Sequence, residues 1–362
     1  MAYTTIDDPA QYFNTVLYTG TGSSNAITGV GFQPDWVWIK SRSLSQDHKL
    51  HDSVRGTNGG YYESLRANSA AASDVVADGA ADNTGMSAIG SDGFTVVSNA
   101  SHNQNTATYV AWNWKAGTTG SGTTTGSGTG KAYSYSVNTT AGFSIVAYVG
   151  NQTAGHTIPH HLGAKPDVIL VKHRDDGQQW ATQWSPLGAT KVLRFATSNA
   201  ESDSNTRWND TEPTTSVFTV GTEHETNTNN GNHIAYCFTN IKGYSKFGSY
   251  TGNGNANGAF AYTGFRPAWL MIKRTDDTSD WSIYDIKREN FNDGDPQYEF
   301  DLQIEANDSA AEGSDGQLGI YSNGFKFRST DAFTNASGGT YIYMAFAETP
   351  FVNSNGVPTN AR

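Results

Sequence analysis

Short apolar segments alternate along the chain with clusters of glycine, asparagine, aspartate and serine. The apolar segments are rich in Val, Ile, Trp, Tyr, Phe and Thr, as in Trp36–Ile39 and Tyr109–Trp112. β-Branched and aromatic residues favour strands, and the small polar residues between them favour turns. No long stretch repeats its apolar residues with the 3.6-residue period of a helix. The pattern therefore predicts an all-β protein.

One strand motif occurs three times. In each copy a proline is followed six residues later by a lysine, and four apolar residues precede that lysine. The pairs are Pro34 and Lys40, Pro166 and Lys172, and Pro267 and Lys273. Upstream of each proline lies a tyrosine, two residues before a glycine, at Tyr18, Tyr148 and Tyr250.

Two further motifs follow in the same order. A central phenylalanine lies 20 or 21 residues before the last aromatic residue of each copy: Phe94 and Trp114, Phe218 and Phe238, Phe325 and Phe346. Several motifs in a fixed order at near-equal spacing indicate an internal repeat. We expect three tandem β-sandwich modules of jelly-roll or lectin-like kind, each of about 100 residues.

The module boundaries follow from changes in composition. Modules one, two and three are predicted to span residues 11–116, 133–243 and 244–352. Residues 117–132 are a Gly/Thr/Ser tract, which predicts a flexible linker. Residues 1–10 are predicted as an N-terminal arm, which either pairs with a partner or frays, and residues 353–362 as a C-terminal tail.

The central strands of the modules are apolar on both faces. A sheet with one face in water should alternate apolar and polar residues, and Trp36–Ile39 and Tyr109–Trp112 do not. We therefore expect the outer face of these strands to be covered by a long loop, a neighbouring module or another chain.

Composition and charge narrow the classes of function. The 362 residues carry a formal net charge of −11, which disfavours nucleic acid as a partner. No apolar run is long enough to insert into a membrane. Cys237 is the single cysteine, so neither an internal disulfide nor a cysteine-based zinc site is possible, and we expect synthesis in a reducing cytoplasm.

Clusters that could carry chemistry are few. His156, His160 and His161 share one loop, and Asp276, Asp277 and Asp280 share another, as do Asp293 and Asp295. Three imidazoles could hold a divalent ion and flexible carboxylates could hold calcium, but neither set has a complete ligand spacing. His51, Asp52 and Ser53 are adjacent, whereas catalytic triads are assembled from distant segments. We predict no catalytic residue, no metal site and no cofactor.

Aromatic residues that the copies do not share are the candidates for ligand or interface binding. These are Trp184, Trp208, Tyr61, Tyr62 and Tyr298. An exposed ring can stack on a sugar or anchor a protein interface, and burial under a loop is the alternative. The shared Lys40, Lys172 and Lys273 are interpreted as strand-end lysines whose stems cover apolar surface while their heads stay in water, rather than as an anion site.

Three segments of module one carry a family resemblance: Phe32–Ser43, Ser91–Val96 and Val110–Lys115. They resemble a module repeated in structural and tail-fibre-like proteins of marine tailed bacteriophages, and Tyr3–Pro9 with Tyr12 and Phe13 resembles the start of such proteins. Module two departs most, since its apolar strand lacks tryptophan. The resemblance implies a virion component made of β-sandwich modules, and it carries over no catalytic residue.

The leading hypothesis is a non-enzymatic virion protein, made in the host cytoplasm, that is tail-fibre-like and contacts the host surface. Its expected partners are other virion proteins, a host-surface glycan or receptor, and further copies of itself, with a homotrimer expected by analogy with fibres. A capsid-decorating or tail-connector protein is the first alternative. A carbohydrate-active enzyme is the second.

Overall fold

A computed structural model describes residues 2–73, 85–289, 301–314 and 317–359. This part of the chain contains 28 strands and only five helices, each a single turn long. All strand pairs are antiparallel, as between Phe13–Thr19 and Thr108–Trp114. The prediction of an all-β fold is confirmed.

Module one has a larger and a smaller sheet. After a 3-10 turn at Pro9–Gln11, its strands are β1 Phe13–Thr19, β2 Asn25–Ile27, β3 Trp36–Ser41, β4 Lys49–Asp52, β5 Thr57–Asn58, β6 Tyr61–Tyr62, β7 Met86–Gly90, β8 Gly93–Val96 and β9 Thr108–Trp114. One helix, α1, spans Ala100–Asn103. The larger sheet has the order β1-β9-β3-β4 and the smaller one β2-β8-β7, while β5 and β6 form a separate hairpin.

Module two and the tract before it contribute the next eleven strands. They are β10 Thr118–Thr123, β11 Thr125–Gly126, β12 Ala132–Asn138, β13 Phe143–Val149, β14 His156–Pro159, β15 Val168–His173, β16 Ala181–Trp184, β17 Lys191–Arg194, β18 Ser202–Asp203, β19 Val217–Val220 and β20 Asn232–Phe238. The helices are α2 Asn205–Trp208 and α3 His224–Asn227. The larger sheet has the order β10-β12-β13-β20-β15-β16-β17-β18, and the smaller one β11-β14-β19.

Module three contains the last eight strands. They are β21 Ser245–Thr251, β22 Ala261–Tyr262, β23 Phe265–Arg274, β24 Ser282–Asp285, β25 Ile304–Glu305, β26 Leu318–Tyr321, β27 Gly324–Phe327 and β28 Thr340–Pro350. The helix α4 spans Ala332–Asn335. The larger sheet has the order β21-β28-β23-β24-β25, and the smaller one β22-β27-β26.

The same four-strand arrangement occurs in each larger sheet: β1-β9-β3-β4, β13-β20-β15-β16 and β21-β28-β23-β24. In each case the last aromatic residue of the sequence motif lies in the central strand. Trp114, for example, is opposite Phe13 on one side and Trp36 on the other. Phe238 and Phe346 are flanked in the same register.

The tyrosine of each Tyr-x-Gly motif holds a one-turn helix against the larger sheet of its module. The Tyr18 hydroxyl donates to His102 O at 2.6 Å, and its ring stacks on Tyr109 with centroids 5.1 Å apart. Tyr148 and Tyr250 make equivalent bonds to α3 and α4. A Cβ on Gly20 would overlap Gln104 O, so close packing against the helix requires the glycine.

Alternate residues of the central strands belong to different cores. In module one, Val37 and Ile39 pack with Phe94 of the smaller sheet, which makes the module's own core. Trp36 and Trp38 point to the opposite face and join a second core. That second core contains residues of all three modules, so the neighbouring modules cover the apolar outer faces. We call it the central core.

Aromatic rings connect the modules within the central core. Trp36 of module one stacks on Tyr236 of module two with centroids 4.5 Å apart. Trp114 meets Trp269 of module three edge-on at 5.8 Å. Phe195 of module two meets Trp281 of module three at 5.0 Å. Each module therefore contacts both of the others.

The Gly/Thr/Ser tract corrects the expectation of a flexible linker. Residues 118–123 form β10, which pairs along its whole length with β12. Gly120 and Gly122 lie opposite Tyr135 and Tyr133, and a Cβ on Gly120 would come within 2.6 Å of the Tyr135 hydroxyl. The glycines are present because the tyrosine rings of the neighbouring strand lie over them.

The N-terminal residues pack against module three. Ile6 is buried in the central core, and the Tyr3 hydroxyl donates to Gly264 O at 2.7 Å. Asp7 accepts hydrogen bonds from the backbone and the side chain of Ser354. The described part of the predicted arm, residues 2–10, thus lies beside the described part of the predicted tail, residues 353–359.

Candidate functional site

The two tryptophans predicted as ligand-binding residues are buried. Trp184 is 1% exposed and Trp208 is 0% exposed. Trp184 lies in the central core, and its Nε1 donates to Thr182 Oγ1 at 2.9 Å. Trp208 lies in the core of module two. Neither ring can stack on a ligand from solvent, which corrects that prediction.

The predicted tyrosines lie elsewhere. Tyr61 and Tyr62 form β6 on module one and are half-buried. Tyr62 packs against the core of that module, and its carbonyl oxygen lies 3.2 Å from His51 Nδ1. Tyr298 lies outside the described residues. The structure therefore does not bring Tyr61 and Tyr62 into one site with the tryptophans.

The three shared lysines have buried ammonium groups, which corrects the expectation that their heads stay in water. Lys40 Nζ donates to Ser41 O at 2.8 Å and to Ser309 O of module three at 3.2 Å. Lys273 Nζ donates to Ser198 O of module two at 3.2 Å. Burial lowers the pKa of Lys40, Lys172 and Lys273 to about 8. Two of these lysines thus bind a loop of a neighbouring module.

A ring of hydrogen bonds connects the modules at a second position. One side chain of each module donates to a backbone carbonyl of another: His48 to Glu305 at 2.9 Å, Trp281 to Thr197 at 3.2 Å and Trp180 to Arg66 at 2.8 Å. His48 Nδ1 accepts from Trp38 Nε1, so its proton is on Nε2. The ring runs from module one to three, from three to two and from two back to one.

Two buried carboxylates also accept hydrogen bonds across module boundaries. Asp52 of module one accepts from the Tyr236 hydroxyl at 2.7 Å. Asp285 of module three accepts from Trp112 Nε1 at 2.6 Å. Burial raises the pKa of Asp285. Burial also acts to raise the pKa of Asp52, but Arg55, whose Nε lies 2.5 Å away, and the hydrogen bonds hold it below its ordinary value.

The boundary between modules two and three explains why module two has Trp184 where the other two modules have an aspartate. Trp184 occupies the position of Asp52 and Asp285, because it lies opposite Val168 as Asp52 lies opposite Trp36. The residue of module three in the register of Tyr236 is Met344, and a thioether donates no hydrogen bond. An aspartate there would lack the donor that the other two have, and an apolar ring fills the position instead.

The adjacent His51, Asp52 and Ser53 do not form a triad. His51 Nε2 lies 2.9 Å from His102 Nε2, inside module one, and burial lowers the pKa of His51 to about 3. Asp52 faces the central core. The Ser53 hydroxyl donates to Asp35 at 2.7 Å. The three side chains have three separate partners.

The histidines of the module-two loop do not converge. His156 Nε2 lies 2.8 Å from Thr124 Oγ1, and His160 Nε2 lies 3.2 Å from Thr214 O. His161 stacks on the Tyr135 ring with centroids 3.7 Å apart. Each ring has its own structural partner.

The acidic loop residues are engaged with a neighbouring arginine and an asparagine. Arg274 pairs with Asp276 at 3.0 Å and with Asp277 at 3.4 Å, and Asp280 accepts from Asn307 at 2.6 Å. Asp293 and Asp295 lie outside the described residues. In residues 2–73, 85–289, 301–314 and 317–359, no group of three His, Cys, Asp or Glu side chains could hold a metal ion.

The surface of the described residues includes cavities large enough to hold a small molecule. One, of about 260 Å³, lies between modules one and two beside Arg55, Tyr133 and Arg174. Another, of about 470 Å³, lies on module three and includes Asp280 and Asp331. Asp331 accepts a hydrogen bond from the N–H of Phe333 at 2.9 Å, capping α4. These carboxylates serve local structure.

Sequence reasoning missed two groups of residues. The first is the set of inter-module donors, such as His48 and Trp180, which lie eight residues after Lys40 and Lys172 in the sequence but whose partners the sequence does not indicate. The second is the exposed pair Phe260 and Tyr262 on module three. A register comparison of the three copies would have found this pair, because the other modules have small residues or proline there.

The helices of the described residues are too short and too polar to cross a membrane. Residues 8–350 match a family model described as a domain of unknown function, DUF7483. Searches of curated proteins and of solved structures gave no match.

Proposed function

The chain belongs to the DUF7483 family, and we propose that it is a non-enzymatic structural protein of a tailed-bacteriophage virion. In this proposal it is tail-fibre-like and contacts the host surface through its β-sandwich modules. The support from sequence is the resemblance of Phe32–Ser43, Ser91–Val96 and Val110–Lys115 to modules of such proteins.

One structural observation carries the proposal. Three buried side chains that could act as acids, bases or ligands hold the modules together instead: Asp52, Asp285 and His48. Their partners lie in another module, and they border a buried aromatic core rather than a cleft. Such an arrangement favours a rigid building block that presents its outer surfaces to partners.

Host contact would work through many weak contacts. Several copies in one particle turn a weak affinity for a glycan or protein into strong avidity. The proposed partners are therefore other virion proteins, a host-surface glycan or receptor, and further copies of the chain, with a homotrimer as the proposed assembly. The virion is the proposed location.

The compact packing of three modules around one core favours a second candidate. A block of this kind suits capsid decoration or a tail connector as well as the head of a fibre. Binding to purified capsids would favour the decorating role, and binding to a glycan array would favour host contact. Release of reducing sugar from host envelopes would favour the carbohydrate-active enzyme instead.

Labelling of whole particles tests the proposal. An antibody raised against the purified chain would be applied to phage particles from the source culture and viewed by negative-stain electron microscopy. We expect gold label at a fixed position on the tail or capsid, and peptides of the chain in the mass spectrum of purified particles. Preimmune serum is the control, and particles without label or peptides would refute a virion role.

A further inference from the structure

Four aromatic rings form a connected surface on module three: Tyr3, Phe260, Tyr262 and Tyr321. Phe260 is 48% exposed and Tyr262 is 56% exposed. Phe260 meets Tyr321 edge-on, with centroids 5.9 Å apart. The hydroxyls of Tyr3 and Tyr262 lie 3.5 Å apart. We call these four residues the aromatic surface.

The fold of a module does not require these rings. In module three Ala261 lies opposite Phe325, in the register that Ile27 has opposite Phe94 and Ile158 has opposite Phe218. The matching positions carry small side chains or proline: Ala26 and Thr157 for Phe260, Thr28 and Pro159 for Tyr262, and Gly90 for Tyr321. Exposed aromatics at positions that other copies leave small indicate a contact specific to module three.

The floor of the aromatic surface is backbone. Gly324 lies opposite both Tyr262 and Tyr321. A Cβ on Gly324 would come within 2.6 Å of the Phe260 ring and would overlap Ala261 O. Gly324 is buried beneath these rings, and the absence of a side chain there lets the Phe260 ring lie close to the backbone.

Two lysines border the aromatic surface. Lys242 Nζ lies 4.3 Å from the centre of the Tyr3 ring. Lys326 Nζ lies 5.8 Å from the centre of the Tyr321 ring and donates to Asn257 Oδ1 at 2.6 Å. Within the described residues neither ammonium group forms an ion pair, although the chain as a whole carries −11. The cations here are complementary to an anionic ligand.

The size of the aromatic surface favours a small ligand over a protein. An aromatic side chain can bury about 150–250 Å², so half-exposed rings offer about 100 Å² each. The whole surface then offers a few hundred Å², whereas a specific protein interface buries about 800 Å² on each partner. A few sugar rings match this area, because their C–H faces pack on aromatic rings and their hydroxyls bind tyrosine and amide groups.

We propose that the aromatic surface binds an acidic oligosaccharide, with Phe260 and Tyr262 stacking on sugar rings and Lys242 and Lys326 binding carboxylate or sulfate groups. This inference rests on the proposed function and names the ligand class for host contact. Module three would then be the part of the chain that contacts the glycan.

Titration calorimetry with oligogalacturonate as the anionic probe, and cello-oligosaccharide of equal length as the neutral one, tests the assignment. We expect the wild-type chain to bind the anionic probe more tightly, and less tightly as salt is raised. The double variant Phe260→Ala, Tyr262→Ala should bind about tenfold more weakly or not at all. Lys242→Gln with Lys326→Gln should remove the preference for the anionic probe.

Phe333→Ala is the matched control, since Phe333 is 52% exposed on α4 of the same module. It should bind like wild type, and the melting temperatures of all variants should match wild type. Equal affinity of wild type and the aromatic double variant, or no wild-type binding to oligogalacturonate, would overturn the assignment. Either result together with labelled particles would overturn the site alone and leave the virion role standing.

Sedimentation of the wild type and the double variant separates a protein partner from a glycan. Self-association of wild type that the double variant loses would show that a second copy covers the aromatic surface, and would overturn the glycan assignment. The same association state in wild type and the double variant, whether monomer or trimer, supports the glycan assignment.

Discussion

Equivalent positions in the three modules can carry different residues when each residue can bind the same helix end. The Tyr109 hydroxyl donates to Ala100 O at 2.7 Å and accepts from the N–H of Gln104. Tyr341 makes the equivalent pair of bonds in module three. His233 takes this place in module two, and its Nε2 accepts from the N–H of Thr228. The feature common to the three modules is therefore a buried ring whose polar atom forms a hydrogen bond at the end of a one-turn helix.

Trp36 is expected to be among the most costly residues to truncate. It is buried between Tyr236 and Trp114, with ring centroids 4.5 and 4.4 Å away. Trp36→Ala should lower the free energy of unfolding by about 3–5 kcal/mol, because it leaves a cavity where two modules meet. Urea unfolding measures this, with Phe333→Ala as the exposed control. Equal midpoints for the two variants would show that Trp36 is not part of a shared core.

The buried lysines predict that stability rises with pH above about 8. Burial lowers the pKa of Lys40, Lys172 and Lys273 from 10.5 to about 8. Between these values the unfolded chain holds more protons than the folded chain, so raising the pH favours folding. Cys237 acts in the opposite direction, because burial raises its pKa above the ordinary value of 9.0.

The rise should therefore be visible between about pH 8 and 9, before the thiol and the buried tyrosines reverse it. Melting temperatures across this range measure it. Lys273→Met should show a smaller rise than wild type, since one of the three lysines is removed. An unchanged slope would indicate that the ammonium group is solvated in the folded chain.

At the scale of elements, β10 shows how composition can mislead. A run of Gly, Thr and Ser reads as a linker because glycine costs entropy in a strand and brings no side chain to pack. In β10 the partner strand supplies the packing, through the Tyr133 and Tyr135 rings that lie over Gly122 and Gly120. In the sequence, the alternation of Gly120-Ser121-Gly122 and of Tyr133-Ser134-Tyr135 is the pattern that indicates this pairing of glycines with tyrosines.

Gly120→Val is expected to destabilise the chain even though valine favours strands. Its side chain would collide with the Tyr135 ring, at a cost of about 1–3 kcal/mol. Ser121→Val is the matched control, because Ser121 is exposed on the other face of the same strand. Thermal melting compares the two. Equal stability of both variants would contradict the packing of tyrosine over glycine.

At the scale of the whole molecule, the central core joins the three modules that the sequence repeat separates. Each module has a core of its own. The larger sheets then bury their second faces against one another. Ion pairs add to the same boundaries, including Arg42 with Glu312 at 2.8 Å and Arg174 with Glu63 at 2.7 Å.

This shared core predicts one cooperative unfolding transition rather than three. Loss of one module would expose the aromatic faces of the other two, so none should remain folded alone. Scanning calorimetry should give a single peak whose van't Hoff and calorimetric enthalpies agree. An isolated fragment of residues 133–243 should bind a hydrophobic dye and lack a sharp melt. Three separate peaks would refute the shared core.

The sequence by itself determined the all-β fold and the positions of the central strands, because turn residues and β-branched or aromatic runs act locally. It also showed that these strands need cover on both faces. Trp184 and Trp208 remained candidates for ligand binding, with burial as the alternative, because burial of residues outside a shared pattern depends on distant segments. The tertiary structure alone decided what covers each face, since apolar burial is non-directional and does not name its partner. The same holds for the hydrogen bond from Trp112 to Asp285, whose partners are 173 residues apart.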